Sequence, residues 1–375
     1  MALIFSPLTL RSTTFRNRVW VSPMCQYSSL DGMPTQWHLV HLGGLAAGGA
    51  GMVMTEATAV TPEGRISPAD AGIWSDAQAD AYRRITDFVR DQGAAPGIQL
   101  GHAGRKASVG RPWEGGGPLS PDRGGWVTGG PSPVAFGEMP VPAELTAADL
   151  ARVVEAFAAA AARADRAGFE VIEVHAAHGY LLHQFLSPLS NRRDDDYGGD
   201  LVGRSRLLLE VVDAVRSAWP ADRALLVRLS GEDWADGGLT ASDAVDVAVG
   251  LIGHGVDLID VSSGGLVPDQ QIPIGPGYQV PLARVVREGS GLPTAAVGLI
   301  TDPRQAEQVL AEGSADAVFL ARAVMRNPHW PLMAAHELGV PAPWPPQYRR
   351  AAPTGVPAGH QSPARAVRLP QQAGV

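Results

Sequence analysis

Two histidines and a tyrosine occur together in the stretch His175-Ala-Ala-His178-Gly-Tyr180, directly after a short apolar run. Imidazoles at this spacing can face the same point in space. They could donate hydrogen bonds to a substrate oxygen while Tyr180 delivers a proton. They could instead bind the metal of a metal-dependent barrel hydrolase, but zinc needs a third ligand, which the neighbouring sequence does not supply. A purely structural role for both histidines is the third interpretation.

Arg228, Gln99 and Cys25 also lie at or near the ends of apolar runs. A buried arginine needs a negative charge, which either an acidic residue of a neighbouring strand or a reduced flavin could supply. Gln99 can both donate to and accept from the pyrimidine edge of a flavin. The thiol of Cys25 would tune a flavin if it lay beside one, and would otherwise be a packed core cysteine.

A further set of residues indicates an anion site. Gly298 follows one apolar run, and Ala321-Arg322 follows the next. Loop amides and an arginine at these positions bind phosphate in many α/β barrels. The alternative is a surface arginine in a tight turn.

Eight short apolar or β-branched runs precede these residues and predict strands. They are Val19–Pro23, Met52–Thr58, Pro96–Leu100, Val171–His175, Leu225–Leu229, Leu258–Val261, Thr294–Val297 and Ala317–Leu320. Continuous apolar runs are typical of parallel strands buried on both faces, and longer helical stretches separate them. The alternation predicts an α/β fold of the (β/α)8 TIM barrel type, whose active site lies where the strands end.

Capping patterns and helical periodicity place four of the helices. Thr146-Ala-Ala-Asp149 and Thr240-Ala-Ser-Asp243 are capping boxes, each of which begins a helix. Leu201–Trp219 and Pro303–Glu312 are helical by pattern.

One barrel domain is predicted over residues 1–350, with an irregular segment inside it and another after it. Residues 101–144 form a long, glycine-rich insertion after the third strand, and a connection of this length usually acts as a lid or cap. A surface excursion is the alternative. Residues 351–375 are rich in Pro, Ala, Gly and Gln, which predicts a disordered tail.

Composition argues against several classes of function. The 375 residues carry a formal net charge of −8 and no run of Lys or Arg, which disfavours nucleic acid or an anionic membrane as a partner. Cys25 is the only cysteine, so an internal disulfide or a Cys-rich zinc site is excluded and a reducing cytoplasm is expected. The sequence contains neither a signal-peptide pattern nor an apolar stretch near the ~20 residues that span a membrane.

Taken together, these motifs resemble those of the old yellow enzyme family of FMN-dependent ene-reductases, in particular its bacterial thermophilic-like class. The most specific stretches are His175–Tyr180 and Ser187–Gly199, and the similarity extends to about Arg350. The resemblance implies non-covalently bound FMN, with NADPH or NADH as the reductant. It also implies reduction of the C=C bond of small α,β-unsaturated carbonyl compounds, and a homodimer or homotetramer.

The resemblance assigns roles to individual residues. It places Pro23, Met24, Cys25, Ala57, Gln99, Arg228, Gly298, Ala321 and Arg322 at FMN, the last three of them at its phosphate. It places His175, His178 and Tyr27 at the substrate, with Tyr180 as the proton donor and no metal. An arginine near the C-terminus, Arg350 with Arg349 as the alternative, is expected to reach into a neighbouring subunit's site. Ala321 departs from the family, whose members often have glycine before the phosphate-binding arginine.

Overall fold

The computed structural model describes residues 2–353, and its centre is a closed barrel of eight parallel strands. In chain order these are β1 Val19–Val21, β2 Met52–Ala59, β3 Ala95–Gly101, β4 Val171–Ala176, β5 Ala224–Ser230, β6 Leu258–Ser262, β7 Thr294–Ala296 and β8 Ala317–Leu320. Each strand pairs with the next, and β8 closes the barrel on β1 through the pair Val318 and Val19. The predicted strands and the predicted TIM barrel are confirmed.

Ten α-helices connect and surround the strands in the described range. They are α1 Gln36–Ala47, α2 Asp76–Asp91, α3 Ala147–Arg166, α4 Leu181–Leu186, α5 Leu201–Ala218, α6 Ala241–Leu251, α7 Val280–Ser290, α8 Pro303–Ala311, α9 Arg322–Arg326 and α10 Trp330–Glu337. Both predicted capping boxes are present, since Thr146 Oγ1 accepts from the amide of Asp149 and Thr240 Oγ1 from that of Asp243. These side chains satisfy amides that the first helical turn leaves unpaired, which is why α3 and α6 begin there.

The core divides into two layers because the strands are buried on both faces. Outward-facing strand residues such as Ile172 and Val174 share a cluster with helix residues such as Phe157. Inward-facing residues fill the barrel, where the ring centroid of Trp20 lies 5.5 Å from that of Phe319. A hairpin of Leu8–Leu10 and Thr13–Phe15 covers the N-terminal end of the barrel. The apolar filling confines polar interior residues to the other end.

The insertion 101–144 holds little regular structure. It contains the 3-10 turns Gly104–Lys106, Pro112–Glu114 and Pro121–Arg123, and a two-residue strand, Gly129–Gly130, that pairs with Ala143–Glu144. Trp126 Nε1 donates to the carbonyl of Glu63 at 2.9 Å and ties the insertion to the loop after β2. A lid function for this segment stays a prediction.

Two sequence-based expectations concern the chain end and the membrane. Of the tail predicted to be disordered, residues 354–375 lie outside the described range. Within residues 2–353, no helix combines the length and the apolar character needed to cross a membrane.

Candidate active site

Most of the predicted site residues line two cavities at the C-terminal end of the barrel. The larger has a volume of about 260 Å³, and its lining includes Pro23, His178, Arg228, Gly298, Ala321 and Arg322. The smaller is lined in part by Ala57, His175 and Tyr180. These residues come from distant parts of the sequence and converge because all strands of a parallel barrel end on the same side.

Three further predicted cofactor residues lie outside these linings. Met24 packs against the core beyond β1, and Gln99 is buried in the barrel interior on β3. Cys25 packs in a small cluster with Tyr180 and Ala103. Burial, together with the charges of Asp70 and Glu56, raises the pKa of the Cys25 thiol well above its usual range. Cys25 is therefore a neutral, polarizable thiol.

His175 and His178 meet at right angles, with ring centroids 5.3 Å apart. Burial and the positive charge of Arg228 lower the pKa of both imidazoles well below the usual value. Neutral His175 carries its proton on Nε2, because Nδ1 accepts from the amide of Ala177 at 3.3 Å. His178 Nε2 lies 2.7 Å from Ser262 Oγ. Both rings are therefore oriented by fixed contacts and each retains a nitrogen for a ligand.

The loop that carries His178 is held from several sides. The backbone amide of His178 donates to Ser230 Oγ at 3.0 Å, and the backbone carbonyl of His178 accepts from Lys106 Nζ at 2.8 Å. His178 has φ +58° and Gly179 has φ +72°, and a Cβ on Gly179 would lie 2.2 Å from the carbonyl oxygen of Gly265. Glycine is required here because the loops after β4 and β6 touch through their backbones.

Tyr180 completes the group on the side of the smaller cavity. Its ring centroid lies 4.9 Å from that of His175, and Lys106 Nζ lies 5.2 Å from the Tyr180 ring centre. Burial, followed by the nearby Cys25 and Tyr27, raises the pKa of its phenol well above the usual value. The hydroxyl therefore keeps its proton and can act as a proton donor.

The larger cavity has the chemistry of an anion site. Arg228, Arg322 and Arg326 contribute to its lining, and no carboxylate does so among the described residues. Ser22 Oγ is buried at this wall without a hydrogen-bond partner in residues 2–353. Gly298 has φ +113°, and a Cβ there would lie 2.8 Å from Gln279 Nε2. An orphaned hydroxyl, cationic donors and a glycine cradle fit the phosphate and ribityl chain of FMN.

For Arg228 the sequence left two negative partners open, an acidic residue of a neighbouring strand and a flavin. Its Nε lies 3.0 Å from Asp260 Oδ2 on the neighbouring strand β6, so an acidic partner is present. The same side chain lines the larger cavity, where it can also face a bound anion. The ion pair and the flavin contact are therefore compatible.

Tyr27 and Arg350 lie outside the two cavity linings. Tyr27, with φ +50°, packs edge-on against Trp113 at a centroid distance of 5.8 Å. Tyr27 also contributes to the raised pKa of the Tyr180 phenol. Arg350 is exposed in the 3-10 turn Pro346–Ala351. Their roles at the substrate stay predictions.

The alternative interpretation, a metal site at His175 and His178, requires a third ligand. No group of three or more His, Cys, Asp or Glu side chains within residues 2–353 is arranged to hold a metal ion. His178 Nε2 is also engaged by Ser262.

Sequence reasoning missed several residues of the site. His178 is held by contacts with Ser262, Ser230 and Lys106. Gln99 donates to Glu173, and Arg228 forms an ion pair with Asp260. One signal was available, because Glu173 and Asp260 are carboxylates inside otherwise apolar strands. A buried acid needs a partner, but the sequence did not indicate which one.

The chain was compared with known proteins. The model of the NADH:flavin oxidoreductase / NADH oxidase family matches residues 3–340. The chain is 49% identical over 351 residues to the NADPH dehydrogenase of Geobacillus thermodenitrificans (strain NG80-2), covering 93% of this chain and 98% of that protein. It is 44% identical over 350 residues to the NADPH dehydrogenase of Halalkalibacterium halodurans, with the same coverage.

Solved structures agree with this relationship. Morphinone reductase superposes with a TM-score of 0.75 at 28% identity, covering 92% of each chain. A 2-naphthoyl-CoA reductase complex gives a TM-score of 0.81 at 23% identity over 89% of this chain and 52% of the other, a likeness of fold. The chain therefore belongs to the NADH:flavin oxidoreductase / NADH oxidase family, the old yellow enzyme family that its motifs resemble, and is an FMN-dependent oxidoreductase.

Proposed function

We propose that this enzyme uses NADPH to reduce the activated C=C bond of α,β-unsaturated carbonyl compounds. The observation that carries the proposal is the group of two neutral imidazoles and a protonated phenol at one end of the barrel, with ring centroids 4.9 and 5.3 Å apart. NADPH is the expected reductant because two relatives at 49% and 44% identity are NADPH dehydrogenases. Morphinone reductase has also been solved in complex with tetrahydroNAD.

The cofactor is held in two parts in this proposal. Gly298, Ala321 and Arg322 bind its phosphate, and Pro23, Met24, Ala57, Gln99 and Arg228 contact its ring, with Cys25 beside it. When bound, FMN would supply the hydride chemistry that links oxidation of the nicotinamide to reduction of the alkene. The positive charge of Arg228 favours the reduced, anionic form of the ring.

His175 and His178 bind the carbonyl oxygen of the substrate. His175 donates from Nε2. We assign the single proton of Ser262 Oγ to the 2.7 Å contact with His178 Nε2 rather than to the 3.2 Å contact with Gln279 Oε1, which already accepts from Ser263 Oγ at 2.7 Å. With this assignment His178 donates from Nδ1. Both hydrogen bonds strengthen as negative charge develops on the oxygen, so they stabilise the transition state more than the bound substrate.

Tyr180 protonates the α-carbon. Its phenol ring lies next to the imidazole of His175. Because its pKa is raised, the phenol stays protonated until negative charge develops on the α-carbon, which then accepts the proton. Cys25 and Ala103 pack around the ring and keep water away from the transfer.

An anaerobic titration of the FMN-loaded protein with NADPH and then cyclohexenone tests the proposal. The visible flavin band should bleach with NADPH and return when the enone is added. Bleaching without recovery in cyclohexenone and other activated alkenes would overturn the substrate class while leaving the flavin assignment intact. A protein that does not bind FMN would contradict the cofactor site as well.

A further inference from the structure

Four polar side chains form a continuous chain inside the barrel, between the apolar filling and the site. Gln99 Nε2 donates to Glu173 Oε1 at 2.7 Å. Glu173 on β4 and Asp260 on β6 each influence the pKa of the other through a side-chain interaction, and Asp260 Oδ2 lies 3.0 Å from Arg228 Nε. The strand register produces this chain, because Gln99 stands opposite Glu173 on β3 and β4, and Arg228 opposite Asp260 on β5 and β6. All four side chains are buried.

Glu173 and Asp260, the carboxyl pair, can satisfy each other only if they hold a proton between them. Glu173 Oε2 and both carboxylate oxygens of Asp260 have no hydrogen-bond donor among the described residues, so the Arg228 contact is an ion pair by distance alone. Two ionised carboxylates beside one cation would leave a net negative charge in the barrel core, which is costly to bury. One shared proton converts this repulsion into a short O–H···O contact and makes the group with Arg228 electrically neutral.

The surroundings place that proton on Glu173. Asp260 faces the guanidinium of Arg228, which favours the ionised form of Asp260. Glu173 faces an amide, and a neutral acid can accept the Gln99 hydrogen bond through its carbonyl oxygen. Burial and the neighbouring Asp260 raise the pKa of Glu173 well above its usual range.

We propose that the carboxyl pair shares one proton and thereby positions Gln99 and Arg228 against the flavin with a fixed balance of one positive and one negative charge. Glu173 and Asp260 are positioning residues in this scheme, since neither contacts a reacting atom. The proposal rests on the proposed function, because it takes Gln99 and Arg228 to contact FMN. Its consequence is that removing the last negative charge beneath Arg228 makes the bound flavin easier to reduce.

Three amide variants test the charge count: Glu173→Gln, Asp260→Asn and the double variant. Each single variant keeps one negative charge, since Asp260 stays ionised in the first and Glu173 becomes free to ionise in the second. The equilibrium constant for reduction of bound FMN, measured anaerobically against redox dyes, should therefore stay within about threefold of wild type in each. The double variant removes the charge and should raise that constant about tenfold or more. Additive effects of the two single variants would overturn the proposal.

Two controls separate failure of this inference from failure of the cofactor assignment. Arg228→Met should lower the same equilibrium constant, and an unchanged constant would contradict the placement of Arg228 at FMN. In the FMN-free protein, the wild-type minus Glu173→Gln infrared difference spectrum, in which the Asp70 carboxyl cancels, should contain the carbonyl band of a protonated carboxylic acid that shifts in D2O. Identical spectra of wild type and Glu173→Gln would overturn the shared proton whatever the flavin does, and this readout also serves if the double variant does not fold.

Discussion

The imidazoles of His175 and His178 are neutral because burial and the nearby Arg228 and Lys106 disfavour a further positive charge. A neutral imidazole can donate one hydrogen bond without a counter-ion. Tyr180 is held in its neutral form by the same burial. At the residue scale, the site therefore presents two uncharged imidazoles and an uncharged phenol side by side, as the proposed function requires.

Replacing Tyr180 by Phe removes only the phenol hydroxyl, the proposed proton donor, from the site. We expect reoxidation of the reduced enzyme by cyclohexenone to slow by about 100-fold or more, with reduction by NADPH unchanged. Stopped-flow absorbance of the two half-reactions measures both rates. Tyr27→Phe is the matched control and should leave proton transfer intact. Equal losses in both half-reactions of Tyr180→Phe would contradict its role.

Asp70 should make the stability of the FMN-free protein depend on pH. Burial raises the pKa of this carboxyl from 3.8 to about 7, although Ser67 Oγ and the amide of Ile66 donate to it at 2.6 and 2.9 Å. Between pH of about 4 and 7 the folded protein binds a proton that the unfolded chain has lost. The free energy of unfolding should therefore fall as pH rises, by up to about 1.4 kcal/mol per pH unit, and level off above about pH 7.

Urea unfolding at a series of pH values tests this dependence. Asp70→Asn should remove that part of the slope, because the amide does not titrate. Asp80→Asn, at an exposed position of α2, is the control and should keep the wild-type slope. A slope unchanged by Asp70→Asn would assign the pH dependence to other groups.

At the scale of elements, the turn after β7 shapes a wall of the larger cavity, where we propose that phosphate binds. Gly298 adopts φ +113°, where L side chains are strained, and its Cβ would meet Gln279 Nε2 at 2.8 Å and Tyr278 Cε1 at 3.1 Å. The turn after β8 brings in Arg322 from α9. The two turns form one wall of the larger cavity. A change in the backbone conformation of either turn would therefore displace hydrogen-bond donors for the same ligand.

Gly298→Ala should weaken FMN binding about tenfold, since strain of this kind costs about 1–3 kcal/mol and shifts the turn. Quenching of FMN fluorescence on titration with the protein measures the dissociation constant. Gly313→Ala is the control, because Gly313 also has a positive φ, of +67°, but has no atom within 4 Å of its Cβ position. It should reduce stability without changing FMN affinity, and equal affinity in both variants would contradict a phosphate site at Gly298.

At the scale of the whole molecule, the barrel places all of the cofactor and proton-donor candidates in one copy of the chain but leaves Arg350 exposed in the 3-10 turn Pro346–Ala351, near the end of the described residues. Its predicted role requires a second copy of the chain. Subunit mixing tests this directly, because a mixed dimer of Arg350→Ala and Tyr180→Phe contains one site with both native residues.

Each variant alone should be nearly inactive toward cyclohexenone. After co-refolding in equal amounts, about a quarter of the sites should regain both residues if the enzyme is a dimer, and activity should recover to match. The same mixing experiment with Arg349→Ala and Tyr180→Phe is the control that shows which of the two neighbouring arginines acts across subunits. Absence of recovery would show that Arg350 does not act across subunits.

The sequence by itself determined the barrel and most of the candidate site. Strands such as Ala317–Leu320 were predictable because parallel strands buried on both faces read as continuous apolar runs, and α3 and α6 because their capping boxes are local. His175, His178 and Tyr180 were predictable because residues that directly follow barrel strands must meet at one end. The family motifs indicate FMN independently of the three-dimensional structure.

Only the tertiary structure decided which side chains are partners. The contact of Ser262 on β6 with His178 in the loop after β4, and the interactions of Glu173 on β4 with Gln99 on β3 and Asp260 on β6, join residues from different parts of the barrel. Such contacts depend on the register between strands and on closure of the barrel, and neither leaves a periodic trace in the sequence. The sequence could show that Arg228 needs a negative charge, but the position of Asp260 opposite it on β6 is a property of the closed sheet.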